Sequence, residues 1–496
     1  MMSRERALQS QLYSTPKDLG ARVPADHLLR RIQAELDLSF SYQVVEQTYG
    51  AVGHASLPPP TVLKLMLLMA LYKVESERKL LRDLPMRIDW LWFLGYDMDT
   101  KVPNHSVLSK ARRRWGTKVF EELFERSIAM CISRGLIDGR DLLMDSSLID
   151  ANASVDSLFS AKDIAAVITK RLDDATPENE SPENDPKGGA GQAEASTKSE
   201  AKYRSSTDPD ATGAKRRGET KVRPRYQTHR AVDSRHGVIT ATTLGPGHEN
   251  EATRLEELVN AHTENTNLRV EVLTADSKYG TADNLEYCEW NRITAYIFPF
   301  REAYAKPRED KFTECCFRYH AENDHYICPA GQILRRGGYR RDKDAFRYQA
   351  RASICRKCPM RALCTSSKTG RTILRLVRRD VLDRAVARVK TENGRAHRSR
   401  RRWMMEGSFA HSSRLGYKRT HVRGLQSVAG QNFLIASLQN LLTLLWNTAG
   451  KPDSRARIAA LRCTIGLAVQ RGRLAITHAA AFAKAMITFP MKNNSY

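Results

Sequence analysis

Between residues 141 and 298 the hydrophobic pattern switches repeatedly between a period of two and a helical period. That alternation restricts the chain to a mixed α/β fold. Residues 141–149, Asp-Leu-Leu-Met-Asp-Ser-Ser-Leu-Ile, form a strand-like run that ends in polar residues. Residues 226–232 and 238–243 flank Asp233-Ser-Arg-His-Gly, a hairpin signature. Residues 250–264 read as an amphipathic helix, and 268–275 as a β-rich segment that delivers Asp276. Residues 283–290 read as a helix and 294–298 as a strand. Strand, hairpin, helix, strand, helix, strand describes a mixed sheet with helices against it.

The rest of the chain divides around this core. Residues 20–140 read as short helices: apolar Leu28, Leu29, Ile32, Leu36 and Leu38 recur at helical spacing. Pro60 suits the first turn of the next helix, because proline has no N–H to lose there. A basic helix near residues 104–115 fits a helix-turn-helix-like DNA reader, and fits a packing or dimerisation module equally well. Residues 175–221 are rich in Pro, Gly, Ser and alternating charges, too polar to bury a core, and are expected to be mostly mobile. The expected organisation is a helical DNA-binding or assembly domain over 1–138 and the first part of a catalytic domain over 139–300. A Cys-rich insertion over 301–370, the last part of the catalytic domain over 371–450 and a basic tail over 451–496 follow. Val62 to Tyr72, interrupted by Lys64, is the longest apolar run found, short of the roughly 20 residues a membrane span needs. With no apolar leader at the N-terminus either, the expected compartment is a reducing cytoplasm and no membrane is expected as a partner.

Charge narrows the function classes. Of 496 residues, 80 are Lys or Arg and 56 are Asp or Glu, a net charge of +24. An excess of that size points to a polyanionic partner without saying which.

The acids are more informative. Asp145 and Asp276 each follow an apolar β-rich run, where a carboxylate is held rigidly while its oxygens face a cleft. Hard Mg²⁺ or Mn²⁺ favours such ligands. Asp150 and Asp233 compete for that role but sit less cleanly at a strand's C-terminal end. A third acid, Glu406, follows the longest basic run in the chain. At 100° per residue Arg395, Arg398, Arg402 and Glu406 share one helical face, arginines to hold phosphates and a glutamate to complete a coordination sphere. Trp403 and Trp446 read as core residues.

These blocks resemble the DDE-type insertion-sequence transposases of bacterial mobile elements. Asp145-Ser-Ser-Leu-Ile-Asp-Ala-Asn-Ala-Ser is similar to the family's Asp-Gly-Thr-x-Ile/Leu-x-Ala-x-Ala-Ser, and Ala275-Asp-Ser-Lys-Tyr-Gly to its Ala-Asp-x-x-Tyr-Gly. Arg402-Trp-Met-Met-Glu406 resembles its Arg-x-x-x-Glu segment, with Phe409 and His421-Val-Arg-Gly-Leu matching further on. The resemblance runs from about residue 20 to 448 and implies an RNase H-like catalytic domain behind an all-helical domain. It implies two Mg²⁺ or Mn²⁺ ions on Asp145, Asp276 and Glu406, acting on double-stranded DNA at element ends and target, within a homodimer or higher oligomer on the nucleoid. Arg395, Arg398, Arg402, Arg414, Lys418 and Arg423 are the expected DNA contacts, and Tyr279 is structural. Two positions depart from the pattern: Ser399 stands where many relatives carry Tyr, and Ser413 where they carry Lys. These departures leave a catalytically inactive, DNA-binding relative as the alternative.

Six of the nine cysteines crowd into residues 315–364. Cys328, Cys355, Cys358 and Cys364 are spaced C-x26-C-x2-C-x5-C, as in tetrahedral Zn²⁺ sites. His320, His325, Cys315 and Cys316 are spare ligands, and packed reduced thiols are the competing reading.

Overall fold

The computed structural model describes residues 2, 19–50, 56–160, 162–163, 201–300 and 311–448. The expected tail over 451–496 and residues 175–200 of the expected linker lie outside the described residues. The chain divides into two compact units, Met1–Glu271 with Arg400–Tyr496, and Val272–Ser399.

In the first unit, strands β1 (Asp141–Asp150), β2 (Leu158–Ser160), β3 (Tyr203–Ser205), β4 (Thr212–Ala214), β5 (Arg223–Asp233) and β6 (Ile239–Pro246) are joined by hydrogen bonds. Their order is β2-β3-β4-β5-β1, and β6 pairs with β5. β5 and β6 are the expected hairpin, closed by Asp233 N–H to Val238 O and by Gly237 at φ +74°. The second half of the expected linker is ordered: β3 and β4 lie there, and Ser205, Asp208, Ala211 and Thr212 are buried. Composition missed them because these short strands gain their stability from tertiary pairing and not from apolar content.

The N-terminal helices share a core with this sheet. Leu29, Leu63, Phe120 and Ile128 belong to the same cluster as Leu143, Val232 and Ile239. Pro59–Leu71 is a helix with proline in its first turn, and Glu77–Asp83 is capped by Ser76, whose Oγ accepts from Lys79 N–H. Ser106–Trp115, the expected basic helix, buries Leu108, Ala111 and Trp115 and turns Arg113 and Arg114 outward.

The last described helix, Leu425–Asn447, is long and apolar enough to cross a membrane by length and composition, yet 78% of its apolar window is buried. It exceeds the 62–72 run that the sequence suggested as the longest. Its buried amides explain its place. Asn440 accepts from Ile239 N–H and donates to Ile239 O, both at 2.8 Å, and Asn432 bridges Thr228 and Thr242 at 2.9 Å each. Polar groups without water need such partners, and β5 and β6 supply them.

The second unit holds a parallel pair, β7 (Val272–Thr274) and β8 (Thr294–Ala295), and the helix Ala282–Trp290 between them. It also holds a five-stranded antiparallel sheet in order β13-β12-β11-β10-β9, made of β9 (Arg318–His320), β10 (His325–Ile327), β11 (Ile333–Arg340), β12 (Ala345–Gln349) and β13 (Thr372–Leu376). Its core is small: Phe317, Tyr326, Leu334, Tyr348, Ala350 and Ile373.

Candidate active site

Asp145 lies in the middle of β1 and not at a strand end. Ser146 to Asp150 stay in register with Arg225 to His229, so backbone pairing carries the strand through the serines that looked like its terminus. Ser146 is used on both sides: its N–H donates to Asp145 Oδ1 at 2.9 Å, and its Oγ accepts from Gln227 Nε2. The other carboxylate oxygen, Oδ2, accepts from Arg401 Nη2 at 2.6 Å, and Arg401 Nε donates to Met144 O at 3.3 Å. Arg400 reaches Asp141 at 3.5 Å. The strand carrying Asp145 is thereby tied to the helix Glu392–Arg414 that carries Glu406.

The helix's phase explains which arginines do this. Met405 and Ser412 are buried, and Arg401 lies on the same side. Arg395, Arg398, Arg402 and Glu406 share the exposed face, as their spacing requires. Arg414, Lys418 and Arg423 are exposed as well. Trp403 and Trp446, expected in the core, are 63% and 59% exposed. Helical spacing fixes relative angles but not which side faces inward, and here the wide tryptophans fall outside.

One buried cation was not anticipated. Arg230 stands directly opposite Asp145 in the β1–β5 register and is fully buried. Its Nη1 donates to Gln439 Oε1 at 2.9 Å and to Ser408 Oγ at 3.3 Å, and its guanidinium lies 5.1 Å from the Phe409 ring centre. Burial pulls its pKa down to about 10. Ser408 and Phe409 follow Glu406 on the same helix, so Arg230 seats that helix on the sheet. No local sequence signal marks an arginine inside a β-hairpin as an anchor.

The two competing aspartates have other duties. Asp150 accepts from Arg225 Nε at 2.7 Å and pairs with Arg216 at 3.3 Å. Arg216 also donates to Leu148 O at 2.8 Å, so it is committed to the sheet. Asp233 is buried and accepts backbone N–H groups of Asp138, Gly139 and Arg235, closing the hairpin corner. Burial raises its carboxyl pKa against those bonds.

In the second unit, Asp276 follows β7 by two residues and is half-buried at the start of the turn Ser277–Tyr279. Tyr279 is fully buried. β7 and β8 are shorter than the segments expected; in their parallel pair Val272 stands against Thr294 and Leu273 against Ala295.

Cys328, Cys355, Cys358 and Cys364 line one cavity of about 20 Å³ in that unit. His320 and His325 stack on each other at 5.2 Å and do not line it, and Cys315 and Cys316 are exposed. Among the described residues no group of three or more His, Cys, Asp or Glu is gathered as a ready-formed metal site.

A cavity of about 420 Å³ in the first unit is lined by Met66, Glu77, Arg112, Phe120, His421 and Gln431 among others. It contains none of the three acids, and the Arg112–Glu77 ion pair forms part of its lining.

Two family models match the chain: a transposase domain (DUF772) over residues 17–114, and a transposase DDE domain over residues 327–445, which spans Glu406. No curated protein and no solved structure matches it. The matches follow each other in the order helical block, then Glu-bearing helix, and the intervening chain supplies the mixed sheet. The chain carries a DUF772 transposase domain and a transposase DDE domain, and the two matches together support an insertion-sequence transposase of the DDE type.

Proposed function

We propose that this transposase binds the ends of its mobile element, cleaves phosphodiester bonds there and joins the freed 3′-hydroxyls to target DNA. Asp145, Asp276 and Glu406 are its three carboxylates. The observation that carries the reading is the Arg401–Asp145 bond, which ties the helix bearing Glu406 to the strand bearing Asp145. Carboxylate oxygens suit hard Mg²⁺ or Mn²⁺, and Asp145 already accepts a cationic group on one of them. When bound, two such ions activate the attacking hydroxyl and stabilise the leaving oxygen.

The chain's own residues do the rest. Arg395, Arg398 and Arg402 present guanidinium groups to DNA phosphates from the exposed face of the Glu406 helix. Arg414, Lys418 and Arg423 extend the basic surface past it. Arg230 and Gln439 hold the helix so that these groups keep their positions. The substrate is double-stranded DNA on the bacterial nucleoid, engaged by a homodimer or higher oligomer.

Ser413 favours the second reading, an inactive DNA-binding relative: its hydroxyl donates to Phe409 O at 3.0 Å and carries no charge for a phosphate. The test is cleavage of element-end DNA with Mg²⁺. Wild-type protein should nick it, and Asp145→Ala should bind the same DNA without nicking. Binding without metal-dependent nicking by the wild type would establish the inactive reading, and full nicking by Asp145→Ala would remove Asp145 from the site.

A further inference from the structure

We infer that Cys328, Cys355, Cys358 and Cys364 form a structural Zn²⁺ site that staples the small sheet of the second unit. Backbone geometry carries this. Cys328-Pro-Ala-Gly331-Gln332 is a tight turn in which Gly331 N–H donates to Cys328 O at 2.8 Å and Cys328 N–H to Gln332 O at 2.9 Å. Gly331 has φ +75°, and Gln332 N–H donates to Cys328 Sγ at 3.3 Å. An amide aimed at a sulfur from the turn behind it supports the thiolate form that metals bind. Cys355 and Cys358 sit on a second turn, with Cys358 N–H bonded to Cys355 O at 3.4 Å, and the helix Arg361–Cys364 brings in the fourth thiol.

The surroundings agree. All four thiols line the same small cavity, closed on its apolar side by Leu334, Ala350 and Ile354. None is in a disulfide. A Zn²⁺ ion with sulfurs at about 2.3 Å requires the four thiols to draw inward on binding. Among the described residues the core cluster of the five-stranded sheet has six buried members, and sheets with so little core commonly need a staple. Binding releases the thiol protons to solvent, and no redox change is involved.

The inference does not depend on the transposase chemistry, and its test uses the full-length protein. Metal analysis after purification without added metal should find one zinc per chain. Iodoacetamide labelling mapped by mass spectrometry should modify Cys315 and Cys316 while sparing the four thiols until a chelator removes the metal. Paired Cys355→Ser and Cys358→Ser substitutions should abolish zinc retention, whereas Cys315→Ser should leave it intact. Protein without zinc, or with iron in its place, would overturn the assignment. So would labelling of the four thiols in wild-type protein as fast as Cys315.

Discussion

Arg401 gives the sharpest prediction about the active site. Its guanidinium lies 2.6 Å from Asp145 Oδ2, with side chains only 15% and 20% exposed. A charge-assisted hydrogen bond contributes about 1.5–3 kcal/mol when shielded and an exposed ion pair less than about 1, so this partly shielded bond is worth about 1–2 kcal/mol. A divalent cation arriving at Asp145 must compete with that bond and with the guanidinium's own positive charge. Replacing Arg401 by Gln keeps the hydrogen-bonding length but removes the charge. Mn²⁺ affinity should then rise about 5–30-fold, the factor to which 1–2 kcal/mol corresponds. The assay is a Mn²⁺ titration of DNA-free protein, reading free ion by electron paramagnetic resonance, with thermal melting as a check on folding. Arg401→Lys should bind much as wild type does. An Arg401→Gln variant that folds but binds Mn²⁺ no better than wild type would refute the competition. Asp145→Asn is the control: if it binds Mn²⁺ as wild type does, Asp145 is not a ligand, and the fault lies with the site assignment.

Three further outcomes are expected. His262 is buried between Thr240 Oγ1 and Gly139 O, and burial pulls its pKa down to about 4. From about pH 6.5 to 4 the unfolded chain takes up a proton that the folded one refuses, so stability drops as pH falls through that window, by about 3 kcal/mol in all. His262→Gln should flatten the dependence of urea midpoint on pH there by about one proton, and an unchanged slope would show that His262 titrates normally. Asn440→Leu leaves Ile239 N–H and C=O without partners inside the core and should cost about 3 kcal/mol, read as a lowered urea midpoint, even though leucine is the more apolar residue. Arg402→Ala should reduce the slope of log affinity for element-end DNA against log salt by about 1 while leaving the melting temperature in place; an unaltered slope would take Arg402 off the phosphate surface.

Much of the fold was legible locally. Pro60 falls in the first turn of its helix as the sequence suggests, and residues 226–243 carry a hairpin whose turn chemistry admits few alternatives. Strand lengths were less legible. The serines after Asp145 look like an ending, and only their pairing with β5 keeps the strand going to Asp150. Residues 201–221 have the composition of a linker, yet β3, β4 and the buried Asp208, which accepts from Tyr226 Oη at 2.7 Å, belong to the sheet. Such segments are ordered by partners distant in sequence, and composition does not register partners.

For the site, the sequence by itself determined which acids stand in the family's motifs and that Arg395, Arg398, Arg402 and Glu406 share a helical face. Those are short-range properties, set by covalent spacing and the 100° turn of a helix. Only the tertiary structure decided that this face is exposed and that Arg401, one position from the motif arginine, meets Asp145. It also decided that Asp150 and Asp233 serve the sheet, and that the most membrane-like helix is a core helix pinned by amides. Periodicity fixes angles within an element. Which side turns inward depends on the apolar area and hydrogen-bond partners of neighbours hundreds of residues away, as between Arg230 and Gln439.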